Sequence, residues 1–516
     1  MRYLSLMMSS VLSLTLLLCV LPADGFGALS AGVAAIDITP ETLPALQNGQ
    51  FLEIKQSKVL DRLYARCFVL QSGETTVAIV VVDSCMIPRS ICDRAKILAS
   101  QKTGIRVERI LISSTHTHTA PSVMDLCLGT NSDPAYERFL PPRLAEGIAK
   151  AFLNLEPAQI GYTSVDAPEH THCRRWLRQP GKPGEDPFGD KTVRAMMHPG
   201  YQNPEFTGPA GPVDSGLSLL SIRSADGLRP LGLLANYSMH YFGARGGFSS
   251  DYYGKFCQIL EEKIGKTGDP KKPFVAAMSQ GTSGDQQWMD YSKPRRSDYG
   301  IDQYSSELAE IALNAYQKII YGTGTPLLEM SQSTLVLDRR LPFPERQVWA
   351  EAINEKRGER RPANRPEVYA EQAVWIEAHP VEELILQVIC IGDLAITAIP
   401  NEVYGITGLK LKAASPFHHT FNISLANGAA GYIPPPEQHY LGGYTTWPAR
   451  TAGLEVYAEP QIVGILLGML EYNSGQQRNT LTTDFYTVEQ RAAFQRAIAD
   501  DNNRINRGRK IVKSKD

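Results

Sequence analysis

Short apolar runs alternate with helix-forming stretches along the first part of the chain. Apolar runs occupy residues 33–38, 65–70, 76–82 and 107–112, and a stretch with helical spacing lies near 93–100. Strands interrupted by helices are typical of proteins in which helices cover β-sheets. With 516 residues, 43% of them hydrophobic, the chain can bury a large core. The pattern predicts an α/β fold in which mixed β-sheets are layered with flanking helices in a single large domain.

The rest of the chain continues this pattern with two interruptions. Residues 173–212 are rich in Gly, Pro, Arg and Lys and have little periodicity, which predicts a long loop. Residues 345–380 are charged and favour helix, so we expect an exposed helical excursion there. Apolar runs at 231–238 and 384–399 predict further strands, the second being a strand pair that turns near Gly392. No internal repeat is recognisable in the sequence.

The N-terminal residues have the pattern of a secretory signal peptide. Met1 and Arg2 precede an apolar stretch at 11–21, and a break with small residues begins at Pro22. This pattern predicts export to the periplasm or to the outside of the cell. The competing hypothesis is a retained membrane anchor, because the apolar run approaches the length of a spanning helix.

Net charge bears on the expected partners, and the positions of the cysteines bear on the core. A formal net charge of -2 provides no concentrated positive face, so a nucleic-acid partner is not expected. Several cysteines lie in apolar runs, as Cys390 does. Most of the cysteines are therefore predicted to be buried small hydrophobic residues.

Two histidines separated by one residue follow the apolar run at 107–112. Side chains alternate along a strand, so His116 and His118 are expected to point to the same side of an extended segment. Imidazole nitrogen is a common zinc ligand, and a pair held by the backbone needs little further ordering. The alternative is a hydroxyl-rich loop in which both rings only make hydrogen bonds.

Two more metal-binding side chains follow predicted strands. His240 comes just after the run at 231–238, and Glu402 comes soon after the run that ends at residue 399. Sheets of α/β proteins carry their ligand-binding loops at strand ends, so both side chains are candidates to join His116. The alternative for each is a hydrogen-bonded structural role. Two imidazoles and one carboxylate would leave zinc a position for water.

Several separated segments of the chain carry a family resemblance. They are Gly-Val-Ala-Ala-Ile-Asp-Ile-Thr-Pro at 32–40, Ser-Thr-His-Thr-His-Thr-Ala-Pro at 114–121, Asn-Tyr-Ser-Met-His at 236–240, Ser-Ser-Asp-Tyr at 249–252, Gly-Asp at 284–285, Ile-Pro-Asn-Glu at 399–402, and Gly-Tyr at 431–432 and 443–444. As an ordered series, they resemble the N-terminal catalytic domain of the neutral/alkaline (non-lysosomal) ceramidase family.

The resemblance implies one bound zinc ion and its ligands. The metal-binding histidines of the family fall on His116 and His240, its metal glutamate on Glu402, and its metal tyrosine on Tyr432. An ordinary tyrosine titrates near ~10, so Tyr432 would bind as phenolate only because the cation lowers its pKa.

The resemblance also implies residues of the catalytic pocket. His118 would transfer a proton or stabilise a tetrahedral oxyanion, and Tyr444 would donate a hydrogen bond to the same charge. A pocket arginine of the family corresponds to Arg174, which is followed directly by Arg175.

One departure from the family pattern changes the expected mechanism. The family carries Gly-Asp-Val-Ser-Pro, whose serine has been assigned a nucleophilic role, whereas Gln287 occupies that place here. An amide cannot attack a carbonyl but can orient water or a polar substrate group, which favours metal-activated water. Ser283 is the alternative nucleophile, although its neighbours do not form the Gly-x-Ser-x-Gly turn.

These inferences predict three segments and one activity. The segments are a signal peptide at 1–25, a ceramidase-like catalytic domain at 28–475, and a polar tail at 476–516 in place of an immunoglobulin-like domain. The expected activity is zinc-dependent cleavage of an N-acyl amide bond in a ceramide-like lipid or another N-acylated molecule, with peripheral membrane contact for a lipid substrate. The alternatives are a hydrolase of a non-ceramide amide or ester, and a ligand-binding protein without turnover.

Overall fold

Strands and helices alternate throughout the described part of the chain. The computed structural model describes residues 29–513 apart from 244–245, 268–271, 323 and 325, so the expected signal peptide lies outside the described residues. The strands are β1 (Ser30–Asp37), β2 (Ala45–Gln47), β3 (Ile54–Gln56), β4 (Tyr64–Ser72), β5 (Thr75–Val82), β6 (Ile110–Ser114), β7 (Glu156–Asp166), β8 (His172–Cys173), β9 (Arg175–Arg178), β10 (Gly184–Glu185), β11 (Lys191–Val193), β12 (Ala195–Met197), β13 (Phe206–Pro209), β14 (Gly216–Ser224), β15 (Pro230–Tyr237), β16 (Val275–Gln280), β17 (Gln286–Gln287), β18 (Leu328–Asp338), β19 (Val381–Ile391), β20 (Leu394–Ile399), β21 (Glu402–Val403), β22 (His419–Ser424) and β23 (Tyr432–Ile433). The α-helices are α1 (Arg89–Thr103), α2 (Pro134–Leu153), α3 (Asp251–Ile264), α4 (Ile301–Tyr316), α5 (Pro344–Arg357), α6 (Arg365–Ala378), α7 (Gly405–Ala414), α8 (Pro436–His439), α9 (Ala458–Ser474) and α10 (Val488–Lys513).

Two main sheets form the centre of the molecule. The larger sheet has eight strands in the order β16-β15-β14-β7-β1-β4-β5-β6, and the smaller has four in the order β18-β19-β20-β22. The larger sheet has a weak junction in its middle, where β1 and β7 pair only through Ser30 with Pro157 and Ala31 with Glu156. This junction divides it into two halves of four strands each.

The same topology occurs three times along the chain. We name β1, β4, β5 and β6 the first repeat, β7, β14, β15 and β16 the second, and β18, β19, β20 and β22 the third. In each repeat three antiparallel strands are followed by a helix and by a fourth strand that is parallel to the third. The connecting helices are α1, α3 and α7, and a longer helix (α2, α4 or α9) follows each fourth strand. The fold therefore contains an internal repeat that the sequence does not reveal.

Strand β5 shows why the strands of the repeats are continuous apolar runs. Its residues Val77, Ile79 and Val81 belong to one apolar cluster, whereas Ala78 and Val80 belong to another. Because side chains alternate across a strand, both faces of the sheet are buried. The first of these clusters lies between the sheets and contains side chains from all three repeats.

Helices cover the outer face of each repeat. Helices α1 and α2 pack on the first repeat, α3 and α4 on the second, and α7 and α9 on the third. Each large apolar side chain buried in these layers contributes about 1.5–3 kcal/mol. The predicted α/β fold of mixed sheets layered with flanking helices in a single large domain is confirmed.

Long connections join the first and second strands of each repeat. The connection at 38–63 contains β2 and β3, the one at 167–215 contains β8 to β13, and the one at 339–380 contains α5 and α6. The loop predicted at 173–212 therefore contains short strands. Strands of two to four residues are too short to leave a periodic pattern in the sequence.

Helices α5, α6 and α10 lie outside the repeats. In the segment expected to be an exposed helical excursion, α5 is largely exposed, but α6 buries Val368 and Tyr369. In α10, Phe494 and Ala497 are buried in a cluster with Leu177. Within the described ranges, no helix combines the length and the apolar character needed to cross a membrane.

Candidate metal centre

Three side chains with metal-binding atoms converge where strands of the three repeats end. His116 lies two residues beyond β6, His240 three residues beyond β15, and Glu402 three residues beyond β20. All three are at most 3% exposed. One ligand atom of each lies within 4.8 Å of those of the other two. The structure thus brings together the three residues that the sequence places after strands.

His116 adopts a left-handed backbone conformation with a φ of 74°. The strand β6 ends at Ser114, so the prediction that His116 and His118 share an extended segment is wrong. The chain turns because the His116 N–H donates to the Ser84 carbonyl oxygen at 2.9 Å. The turn directs His116 Nδ1 to the Cys85 carbonyl oxygen, also at 2.9 Å. Since a carbonyl only accepts, Nδ1 donates, and Nε2 is the ring nitrogen left to bind a metal.

The distances between the ligand atoms are close to those around a tetrahedral ion. His116 Nε2 lies 3.0 Å from His240 Nε2 and 3.3 Å from Glu402 Oε2. His240 Nε2 lies 3.7 Å from the same oxygen. Zinc binds nitrogen and oxygen at about 2.0–2.2 Å, which separates tetrahedral ligands by about 3.3–3.6 Å. One ion therefore fits between the three side chains.

The donor atoms also suit a cation chemically. Neither oxygen of the buried Glu402 carboxylate accepts a hydrogen bond from a described residue, and an uncompensated buried carboxylate is costly. Burial, together with the neighbouring Arg174, lowers the pKa of His240 well below its usual value. Its ring is therefore neutral and able to bind metal. Two neutral imidazoles and a carboxylate are a ligand set that zinc takes in catalytic sites.

Tyr432 lies beside Glu402 because the short strands β21 and β23 are parallel and pair these two residues. A Cβ on Gly431, whose φ is 78°, would lie 2.3 Å from the Thr451 carbonyl carbon, so glycine is required just before Tyr432. Burial and the Glu402 charge raise the pKa of Tyr432 well above its usual value. The phenol therefore stays protonated unless a cation lowers that pKa.

His118 reaches the same centre from the turn after β6. Its Nε2 lies 3.1 Å from His116 Nε2, and its ring stacks on Tyr241 with centroids 3.8 Å apart. Gly49 packs closely on this ring, since a Cβ there would lie 2.6 Å from His118 Cγ. Burial, with the charge of Arg174, lowers the pKa of His118 well below its usual value. The His118 ring is therefore neutral.

The two adjacent arginines point to different parts of the molecule. Arg174 is 1% exposed and donates to Tyr432 Oη at 3.2 Å and to the Gly284 carbonyl oxygen at 2.8 Å. Arg175 instead donates to the Gly442 carbonyl oxygen at 2.7 Å. Arg174 is therefore the arginine at the metal centre, and Arg175 holds the loop that leads to Tyr444.

The other candidate residues surround the centre at longer range. Tyr444 is half-buried, and its ring centroid lies 5.8 Å from that of Tyr432. Gln287 is 1% exposed, and its Oε1 has no hydrogen-bond partner in the part of the chain that the structure describes. Ser283 is buried and hydrogen-bonded to the Gln280 amide, so its hydroxyl is already engaged.

Two cavities are bordered by His118. The larger has a volume of about 780 Å³ and the smaller about 640 Å³. The larger is bordered by His116, His118, His240, Glu402, Tyr432, Arg174 and Tyr444. The smaller is bordered by His118 and Gln287. Every site residue expected from the sequence thus borders at least one cavity, and His118 borders both.

Sequence reasoning missed three side chains that border both cavities, Gln50, His198 and Tyr241. His198 has a φ of 56°, and its Nδ1 lies 2.6 Å from Tyr291 Oη. A left-handed histidine beside a cavity is a form of backbone strain that is frequent at functional sites. No sequence motif marks His198, whereas Tyr241 could have been expected near the site because it directly follows His240.

The fold is similar to that of two solved structures. No protein-family model and no curated protein sequence matches the chain. The crystal structure of neutral ceramidase from Pseudomonas aeruginosa matches with a TM-score of 0.64 and 16% identity, over 90% of this chain and 77% of that one. A ceramidase complexed with C2 matches with a TM-score of 0.63 and 15% identity, over 89% of this chain and 77% of that one. The chain has the fold of the neutral ceramidases, and the resemblance inferred from its sequence is confirmed at the level of that fold.

Proposed function

We propose that this protein is an exported, zinc-dependent amidohydrolase that cleaves an N-acyl amide bond, with a ceramide-like lipid as the leading substrate. The convergence of His116, His240 and Glu402 beside a large cavity is the observation that carries this proposal. The fold shared with structures named as ceramidases supports it. A signal peptide at residues 1–25 would direct the export.

His116, His240 and Glu402 would hold the ion, and Tyr432 would be a fourth, weaker ligand. The separations of 3.0–3.7 Å between the first three ligand atoms support this assignment. When bound, zinc supplies Lewis-acid polarisation of a carbonyl group and a nucleophile from water near neutral pH.

The neighbouring side chains handle protons and charge in the proposed hydrolysis. His118 accepts a proton from water while the water oxygen attacks the acyl carbon. Arg174 and Tyr444 donate hydrogen bonds that stabilise the negative charge developing on the carbonyl oxygen. When the C–N bond breaks, His118 returns the proton to the leaving nitrogen. The products are a carboxylic acid and an amine.

The larger cavity suits the acyl half of the substrate. Its wall includes Phe51, Met86, Leu128, Met196 and Trp447. An acyl chain that packs against this wall has its methylene groups removed from water, and each buried methylene stabilises binding by about 0.8 kcal/mol. An N-acyl chain is therefore the substrate group that this cavity favours, and a lipid donor would require peripheral contact with a membrane.

Metal-dependent hydrolysis of a substrate panel tests this proposal. The panel contains ceramide, other N-acyl amides and matched esters, and the protein is stripped with chelator and reloaded with zinc. We expect amide turnover that zinc restores. His118→Gln should retain zinc and lose turnover, whereas His379→Gln, a substitution at an exposed histidine, should change neither.

The outcomes of this assay separate the alternatives. Turnover restricted to esters or to non-lipid amides would assign the protein to a different hydrolase class. If the zinc-loaded protein turned over no compound that it binds, the proposal of an enzyme would be overturned in favour of a binding protein.

A further inference from the structure

The two cavities share a group of lining residues. Gln50, His118, His198 and Tyr241 border both cavities, whereas the three metal-binding residues border only the larger one. A substrate bound near His118 can therefore extend one half into each cavity. The two halves of an N-acyl amide lie on the two sides of its C–N bond, so each cavity would receive one of them.

The smaller cavity is rich in amide side chains. Four glutamines border it, Gln47, Gln50, Gln56 and Gln287, and we name it the amide cleft. Amide side chains recognise polar partners, and an apolar chain cannot satisfy their hydrogen-bonding groups. A hydrocarbon chain placed against these glutamines would therefore leave those groups unpaired.

Two of these glutamines have an unused acceptor. Gln47 is 3% exposed and Gln287 is 1% exposed, and the Oε1 atom of each lacks a hydrogen-bond partner among the described residues. The Gln47 amide is oriented by its Nε2, which donates to the His118 carbonyl oxygen at 2.7 Å. Buried acceptors without a donor are unfavourable. A ligand that brings O–H or N–H donors to these oxygens would remove that cost.

Aromatic rings form rigid walls around the same cleft. Trp288 stacks on Phe242 with centroids 4.5 Å apart and an angle of 12°. Tyr201 and Tyr291 pack together with centroids 5.2 Å apart. All four rings border the amide cleft. Rigid aromatic faces combined with polar side chains at fixed positions select a compact ligand by shape and orientation.

We infer that the amide cleft binds the amine half of the substrate and that this half is a compact, hydroxylated amine, such as an amino sugar, rather than a long-chain base. This inference rests on the proposed amide hydrolysis, and it narrows the substrate from the ceramide-like lipid that the family resemblance favours to another N-acylated molecule. In this arrangement the acyl chain occupies the larger cavity, and the hydroxyl groups of the amine donate to Gln47 Oε1 and Gln287 Oε1. Gln287 therefore has a binding role at the place where the ceramidase family has its serine.

Three substrates with one acyl chain and different amine halves test this inference. They are N-dodecanoyl glucosamine, N-dodecanoyl cyclohexylamine and N-dodecanoyl sphingosine. We expect kcat/KM for the glucosamine amide to exceed that for the cyclohexylamine amide by about tenfold or more, because the latter leaves buried acceptors unpaired. Equal values, or a preference for cyclohexylamine or sphingosine, would overturn the inference.

Glutamine variants locate the preference in the amide cleft. Gln47→Met and Gln287→Met keep the length of the side chain but remove the acceptor. Each should bring the ratio of kcat/KM for the glucosamine amide to that for the cyclohexylamine amide toward one. Gln303→Met is the matched control, since Gln303 is exposed on α4, and it should retain the wild-type ratio. Retention of that ratio in both cleft variants would contradict the inference.

Calorimetric binding of free glucosamine separates this inference from the proposed function. Binding needs no bond cleavage, so it is measured even if no amide is hydrolysed. Binding that is weakened at least about tenfold by Gln287→Met, without any hydrolysis, would support the cleft and overturn the amidohydrolase. Hydrolysis without glucosamine binding and without the substrate preference would support the amidohydrolase and overturn the cleft.

Discussion

The first repeat differs from the other two in the side chain that it presents at one equivalent position. In each repeat, the last residue of the third strand pairs with the last residue of the fourth. Three residues beyond the third strand stand Cys85 in the first repeat, His240 in the second and Glu402 in the third. The same backbone plan thus delivers a thiol, an imidazole and a carboxylate to neighbouring points around one centre.

At the ends of the fourth strands, only the first repeat carries a candidate metal ligand. Two residues beyond β6 stands His116, whereas the equivalent residues of the second and third repeats are Thr282 and Ala426. Thr282 Oγ1 donates to Asp214 at 2.8 Å, and Ala426 belongs to the apolar cluster between the sheets. Each repeat therefore supplies one candidate ligand, but from different strand ends. The topology determines where a side chain can reach, and the residue type determines what it can bind.

Cys85 supports the centre without being placed as a ligand to the same ion. Its Sγ lies 3.8 Å from His116 Nδ1, the ring nitrogen that does not face His240. Burial raises the pKa of the Cys85 thiol well above its usual value, so the thiol is protonated in the absence of an ion. Its carbonyl oxygen instead orients the His116 ring.

Removal of a ligand from the second or third repeat should have the largest effect. We expect His240→Ala and Glu402→Ala to lose bound zinc and to lower kcat by about 1000-fold or more, because the metal supplies several kcal/mol of transition-state stabilisation. Metal analysis of the purified variants checks this, with circular dichroism as the control for folding. Wild-type zinc content in either folded variant would show that the repeats do not converge on a metal site.

The next largest effect is expected for Arg174, which links the second and third repeats at the candidate metal centre. Arg174→Gln removes the donor to Tyr432 and should lower kcat by about 100-fold. Arg175→Gln removes a charged hydrogen bond to the loop before Tyr444 and should mainly lower stability, by about 1.5–3 kcal/mol. Kinetics and thermal unfolding of both variants distinguish the two. Equal losses of kcat would contradict the different roles of these adjacent residues.

A buried carboxylate also links the second and third repeats away from the metal. Asp285 Oδ1 accepts from the Gly405 N–H at 2.8 Å, and burial raises the pKa of Asp285 to about 6 from its usual 3.8. Since the folded state holds this proton more tightly, stability should fall as pH rises from about 4 to about 6. This contribution amounts to about 3 kcal/mol.

Denaturant unfolding of Asp285→Asn across this pH range tests the assignment. The asparagine keeps an acceptor for Gly405 but cannot ionise. Relative to the wild type, the variant should gain about 3 kcal/mol of stability between pH 4 and pH 7. Parallel stability curves for the two proteins would show that another group is responsible.

Substitution of Cys85, the equivalent residue of the first repeat, should have the smallest effect. Cys85→Ala keeps the carbonyl oxygen that orients His116, so zinc content should remain at the wild-type level and kcat should change by less than about twofold. The lost side-chain packing should cost about 1 kcal/mol of stability. Zinc analysis and thermal unfolding measure both quantities. Loss of zinc would make Cys85 equivalent to His240 and Glu402 in function as well as in position.

The sequence predicts those parts of the site that follow directly from regular structure. His116, His240 and Glu402 could be anticipated because each follows an apolar run long enough to be recognised as a strand. Arg174 could be chosen over Arg175 only from the family resemblance, because its position depends on the two-residue strands β8 and β17. Such short strands leave no pattern in the sequence.

Other features depend on contacts between distant segments. The turn at His116 is held by the backbone of residues that follow β5, so its left-handed conformation has no local signal. Gln47 and Gln287 border one cleft only because loops of different repeats come together there. The repeats themselves conserve strand order and direction while their side chains differ, so a search for periodic residues does not find them.

X-ray absorption spectroscopy of the zinc-loaded protein tests the central claim most directly. Zinc bound by His116, His240, Glu402 and Tyr432 should show only nitrogen and oxygen neighbours, at about 2.0–2.2 Å. A sulfur neighbour at about 2.3 Å would place Cys85 in the ligand set and contradict the claim. The absence of bound zinc from the folded, reloaded protein would contradict it as well.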